Sequence, residues 1–115
     1  MKGILEVNIK EGMPIVDVAL KRMETALHTY GKSGTLIKIV HGYGSTGVGG
    51  KIRTAARSRL RSMKAAGKII DFIPGEEFSM FDAATQKALA QHYKELTGDK
   101  DYGRSNNGVT VVILK

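Results

Sequence analysis

The run Leu36-Ile37-Lys38-Ile39-Val40-His41-Gly42-Tyr43-Gly44-Ser45-Thr46-Gly47-Val48-Gly49-Gly50-Lys51-Ile52-Arg53 passes from apolar, mostly β-branched residues through a glycine-rich stretch into a basic segment. Thr35 to Val40 reads as a strand and the segment after Gly50 as a helix. A strand, a glycine turn and a helix start in that order make an anion pocket. The first turn of a helix presents unpaired N–H groups and the positive end of its dipole, and glycines let the backbone approach a phosphate closely. Gly42, Tyr43, Gly44 and Gly47 are therefore candidate phosphate contacts. His41 closes the strand at the mouth of this pocket, where an imidazole could donate to a phosphate oxygen or protonate a leaving alkoxide.

The helix behind the loop carries Lys51, Arg53, Arg57, Arg59, Arg61, Lys64 and Lys68, with no acidic residue between Glu24 and Asp71. The chain holds 18 basic and 11 acidic residues, a net charge of +7, so this one segment accounts for the whole excess. Arg53/Arg57, Arg57/Arg61 and Lys64/Lys68 are like-charge pairs at i,i+4, which weaken an isolated helix. A polyanion would relieve that repulsion, and Lys51, Arg53, Arg57 and Arg61 are the candidate contacts. Ile52, Ala56, Leu60 and Met63 give the same helix a narrow apolar stripe, closed by Gly67.

Outward from this core, Ile4 to Ile9 alternates as a half-buried strand, with Leu5, Val7 and Ile9 on one face and Glu6 and Asn8 on the other. A helix is expected from Pro14 to Tyr30 on Val16, Leu20, Met23, Leu27 and Tyr30. Lys68 to Ile73 and Val109 to Leu114 read as two further strands. Between them, Asp82 to Leu96 reads as an extra helix with Phe81, Ala88, Leu89 and Leu96 as its apolar positions; Gly98 to Asn107 is polar and predicted to be mobile. Residues 1–115 form a single α/β domain with four strands in βαβαβ(α)β order. Strands joined through helices are expected to be parallel neighbours, with the two main helices packed on one face. With no cysteine, neither a disulfide framework nor a thiolate zinc site can form. No apolar stretch is long enough for a signal peptide or a membrane span, so no membrane partner and a cytoplasmic location are expected. Of the other histidines, His92 falls on the apolar stripe of the extra helix and His28 on a solvated face.

Gly42-Tyr43-Gly44-Ser45-Thr46-Gly47 also fits the dinucleotide pattern G-x-G-x-x-G. The acidic residue that such a site needs has no suitable counterpart, since Asp71 falls inside a strand behind an arginine-rich helix. A phosphate-binding Walker loop fails as well, with Gly50 where lysine belongs and Ile52 after Lys51.

The first strand with its acidic residue, the strand ending His41-Gly42-Tyr43-Gly44, the Ile52-Arg53 pair opening a basic helix and the closing run from Gly108 to Leu114 together resemble the Smr (small MutS-related) domain. The resemblance extends by element order over nearly the whole chain. It implies a two-layer α/β sandwich with a four-stranded mixed sheet, similar to the C-terminal domain of translation initiation factor three, here with an extra helix before the last strand. It also implies binding of DNA or RNA, and in several members nicking or cleavage. Members usually carry Leu-Asp-x-His-Gly on the first strand. Here Leu5-Glu6-Val7-Asn8-Ile9 keeps a carboxylate, but Asn8 replaces the histidine and cannot exchange a proton near neutral pH.

Phosphodiester cleavage needs a base, an acid and positive charge around the phosphorane. Glu6 is the candidate base and His41 the candidate acid, with Asn8 at most orienting a phosphate or water. Three functions remain open: a nucleic-acid-binding domain with weak endonuclease activity, a non-catalytic module that docks on RNA or ribosomes, and a small phosphate- or nucleotide-binding domain. No cofactor is evident, and Glu6, Asn8 and His41 fall short of a cage for a divalent metal. Arginine contacts to a phosphate backbone are common to DNA and RNA, and Tyr43 is the one candidate stacking ring.

Overall fold

A computed structural model of the chain describes residues 4–31, 35–43 and 47–115. Four strands and three helices follow one another as β1 (Leu5–Asn8), α1 (Val16–Tyr30), β2 (Leu36–Val40), α2 (Gly47–Ala65), β3 (Ile69–Pro74), α3 (Ala83–Thr97) and β4 (Val109–Leu114), with a 3₁₀ turn at Gly75–Glu77. The strands form one mixed sheet in the order β1-β2-β4-β3. β1 and β2 are parallel, Leu5 opposite Ile37 and Asn8 opposite Val40, whereas β4 runs antiparallel to both β2 and β3.

The expectation that strands joined through helices are neighbours holds for β1 and β2 and fails for β2 and β3, which β4 separates. All six residues of β4 are buried. A run this apolar on both faces is most stable at the centre of a sheet, and an antiparallel partner on each side places it there. β3 is left at an edge, where Pro74 removes no ladder bond that the sheet needs.

The alternation of each strand divides the core in two. Ile37, Ile39, Val112 and Leu114 face α1 and α2, where they meet Ala19, Met23, Leu27, Ile52, Ala56 and Leu60. Leu36, Val111, Ile113 and Ile73 face the other way and meet Phe78, Ala88 and Leu96 around α3. Three apolar assignments need correction. Tyr30 and Leu5 are exposed, the first as the last residue of α1 and the second on an edge strand. Phe81 is 86% exposed, and Phe78, three residues earlier and 1% exposed, fills the core beneath α3. α3 begins one residue after Asp82, whose carboxylate accepts from the Thr85 N–H at 2.9 Å and caps it. His92 is buried at a kink in α3, and His28 is exposed. Among the described residues, no helix is long and apolar enough to cross a membrane.

Candidate nucleic-acid interface

The parallel pair β1/β2 ends at Asn8 and at the His41-Gly42 turn. Gly42 has φ +88, a left-handed conformation that glycine adopts without strain, and a Cβ there would meet the Lys10 side chain at 2.9 Å. The turn is clamped by a single acceptor, since the N–H groups of His41 and Gly42 both donate to the Gly108 carbonyl at 3.0 Å. The Gly42 N–H, expected to be open to a phosphate, is therefore already bonded. Gly44 lies outside the described residues. Gly47 is the first residue of α2, so the helix absorbs the glycines up to Gly50 and starts four residues earlier than read from the sequence. Tyr43 projects with 60% of its surface exposed.

His41 is fully buried rather than open at a pocket mouth. Its Nδ1 lies 3.0 Å from the Gly42 carbonyl oxygen, which can only accept, so Nδ1 carries the proton and Nε2 accepts from the Thr110 hydroxyl at 2.8 Å. Thr110 Oγ1 in turn accepts from Arg57 Nε at 3.0 Å. Burial, with the added fields of Arg57 and Arg53, lowers the His41 pKa to about 4, against an opposing hydrogen bond to Gly42. At neutral pH this is a neutral imidazole with both nitrogens occupied, which is the chemistry of a strut rather than a proton donor.

Glu6 and His41 are not brought together. Glu6 shares its sheet face with Lys38, its partner in register, and its carboxylate lies 3.3 Å from Lys38 Nζ and 3.4 Å from Lys100 Nζ. It borders a cleft of ≈ 290 Å³ on the α3 side. His41 belongs to the opposite face, with Thr110 and Arg57 of α2, because residues 37, 39 and 41 alternate away from residue 38. Asn8 makes an Asx turn at the end of β1, its Oδ1 accepting from the Lys10 N–H at 2.9 Å. Among the described residues, no group of three or more His, Asp or Glu side chains is arranged to hold a metal ion.

The basic helix is partly neutralised by acids from other elements, which the local sequence conceals. Arg57 is held in a two-toothed pair with Glu76, Nη1 to Oε2 at 2.8 Å and Nη2 to Oε1 at 2.7 Å, and Nη2 also donates to the Val109 carbonyl at 3.2 Å. Arg59 pairs with Glu24 of α1, and Lys64 with Asp71 of β3 at 3.0 Å. Burial raises the Glu76 pKa, but the Arg57 hydrogen bonds and charge outweigh it and hold the carboxyl below its ordinary value. Arg57 is thus occupied where the sequence suggested an open phosphate contact. Among the described residues, Lys51, Arg53, Arg61 and Lys68 have no carboxylate within 4.0 Å.

A second polar cluster, on the other face of the sheet, had not been anticipated. Lys38 is 0% exposed in the middle of the sheet, with Nζ 2.6 Å from Asp101 Oδ2 and 2.7 Å from Asp99 Oδ1. Burial acts to lower its pKa, yet the two aspartates win and raise it, so the ammonium is kept charged. Asp101 Oδ1 accepts from Asn106 Nδ2 at 2.8 Å, and Asn106 Oδ1 accepts from the Gly108 N–H at 2.9 Å. A chain of hydrogen bonds therefore runs from Lys38 to Gly108, whose carbonyl clamps the His41-Gly42 turn. The loop after α3, predicted to be mobile, is pinned: its Gly103 N–H also donates to the Phe78 carbonyl at 2.8 Å, and Tyr102 packs edge-on against Phe78 at 5.3 Å. The signal available in the sequence was one lysine inside Leu36-Ile37-Lys38-Ile39-Val40, a charge that has to find partners wherever that strand is buried.

Comparison with family models, with curated proteins and with solved structures finds no match to this chain.

Proposed function

We propose that this chain is a Smr-like nucleic-acid-binding domain, a two-layer α/β sandwich with α3 added to its second face, that grips a DNA or RNA phosphate backbone along α2. The observation that supports this most is the selective neutralisation of α2. Of its cations, Arg57, Arg59 and Lys64 have carboxylate partners from neighbouring elements, while Lys51, Arg53 and Arg61 have none among the described residues; Lys68, read from the sequence as part of this helix, lies beyond its end at Ala65. Cations without carboxylate partners on α2, with the exposed Tyr43 preceding the helix, suit the backbone of a nucleic acid, and Tyr43 is available to stack on a base. Binding is favoured over cleavage, because Glu6 and His41 occupy opposite faces of the sheet and His41 is neutral and enclosed. A loop that binds only a small phosphate is disfavoured by the engagement of the His41 and Gly42 N–H groups with Gly108.

The test is fluorescence anisotropy with labelled single-stranded RNA, single-stranded DNA and duplex DNA across a series of salt concentrations. With about four phosphates engaged, log affinity should fall against log salt with a slope of roughly −3 to −4. The Arg53→Ala/Arg61→Ala double variant should weaken binding and flatten that slope by roughly 1.5 to 2. A signal independent of salt would overturn the reading. Incubation with the same substrates, with and without magnesium, should leave them intact. Nicking that is lost in both Glu6→Gln and His41→Ala would instead establish the catalytic alternative.

A further inference from the structure

The guanidinium of Arg57 is fixed from behind. Nε is bonded to Thr110, itself held by His41, and Nη2 is bonded to the Val109 carbonyl. The plane of the fork is therefore set by β4, and its remaining outward edge is the part that meets Glu76. Two parallel N–H donors in a preset plane match two carboxylate oxygens and equally two phosphate oxygens. Arg53 stands one helical turn away on the same flank of α2, close enough for its charge to act on both Glu76 and His41.

The turn that carries Glu76 does not depend on the pair with Arg57. The 3₁₀ turn is anchored independently by Gly75, which is buried so closely against the Asn106 carbonyl oxygen and Val109 that a Cβ would overlap them. The Phe78 N–H donates to the Gly75 carbonyl at 3.3 Å, and the Phe78 ring lies in the core. The Glu76 side chain is 39% exposed, whereas Arg57 is 14% exposed, so the carboxylate can swing into water while the fork stays in place.

We propose that the Arg57 fork is a latent phosphate site whose resident occupant is the Glu76 carboxylate, displaced when a nucleic-acid backbone lies along α2. The inference rests on the binding function proposed above and adds one phosphate contact and an internal competitor to it. Removing the competitor strengthens binding and adds about one counterion to the salt dependence; keeping the charge of residue 57 but losing its fork abolishes that gain.

The experiment compares Glu76→Gln with Glu77→Gln on a labelled single-stranded RNA 20-mer. Glu77 is exposed on the same turn, so its variant carries an equal change in net charge and reports the long-range effect alone. Glu76→Gln should bind about tenfold more tightly than Glu77→Gln at low salt, with a slope steeper by about 0.7. Adding Arg57→Lys should remove the difference. In the unaltered protein, the Glu76 carboxylate ¹³C resonance should move toward that of a free side chain as RNA is added, a readout that needs no variant to fold. Equal affinities and slopes for Glu76→Gln and Glu77→Gln, or a Glu76 resonance unmoved at saturation, would overturn the latent site while leaving the binding function standing. Salt-independent binding by the unaltered protein would overturn the function itself.

Discussion

Neutral and enclosed, the His41 imidazole links the loop to Thr110 and Arg57, and its protonation is opposed by burial. Its pKa is lowered to about 4 from an ordinary 6.5, so the unfolded chain takes up a proton in a range where the native state does not. Stability is unaffected above that window and falls as pH drops through it. Between pH 6.5 and pH 5, this one group should remove about 1.5 kcal/mol. Urea unfolding of the wild type and His41→Gln over that range should show a flatter pH dependence in the variant; parallel curves would show that another group governs it. The carboxyls of Glu76 and Asp101 are both held below their ordinary values of 4.5 and 3.8, so their stabilisation is lost below those values, beneath the pH 5 to 6.5 range of the measurement. A second position is decided by space alone. A methyl at Gly75 would overlap the Asn106 carbonyl oxygen, so Gly75→Ala should destabilise the fold by about 1–3 kcal/mol, measurable as a lower urea midpoint at unchanged m-value.

The apolar stripe of α2, Ile52, Ala56 and Leu60, is fully buried against the sheet, which leaves its cations to the flanks. Those flanks are unequal: Arg59 faces α1 and Glu24, while Arg57 and Lys64 face the acids of the 3₁₀ turn and β3. Arg59→Ala removes one partly exposed pair and should change stability by less than about 1 kcal/mol. Because its charge is already matched, it should also perturb nucleic-acid affinity less than Arg53→Ala does in the anisotropy assay. Equal losses from the two variants would show that the helix binds through its net charge alone.

Across the whole molecule, the sheet keeps two polar systems apart and joins them at one end. Lys38 and its aspartates lie on the α3 side, His41, Thr110 and Arg57 on the α2 side, and Gly108 connects the two. Lys38→Met would leave carboxylates enclosed without their cation and should cost about 3–5 kcal/mol. Because the same lysine secures the loop that clamps His41 and Gly42, the amide of Gly42 should exchange with solvent faster in Lys38→Met. Protection retained in a clearly destabilised variant would show that the clamp does not depend on the lysine.

Period and propensity made the strands and helices readable one at a time. Val109 to Leu114 is a strand, as expected after the Asn106-Asn107-Gly108 turn, and Ile52, Ala56 and Leu60 are buried as their spacing requires. Local pattern also located the basic helix and the turn at Gly42. Three-dimensional neighbours decided the rest, since the energies involved depend on groups far apart in the chain. The insertion of β4 between β2 and β3 follows from burying both of its faces at once, and the choice of Phe78 over Phe81 depends on which ring lies beneath α3. Lys38 meets Asp99 and Asp101 more than sixty residues away, and Arg57 meets Glu76 across the gap between a helix and a turn. Charge counted along one helix therefore overstated the exposed cations. The pairing of Glu6 with His41 failed for a related reason: strand alternation is local, but which face each of two different strands presents is set by their register in the sheet.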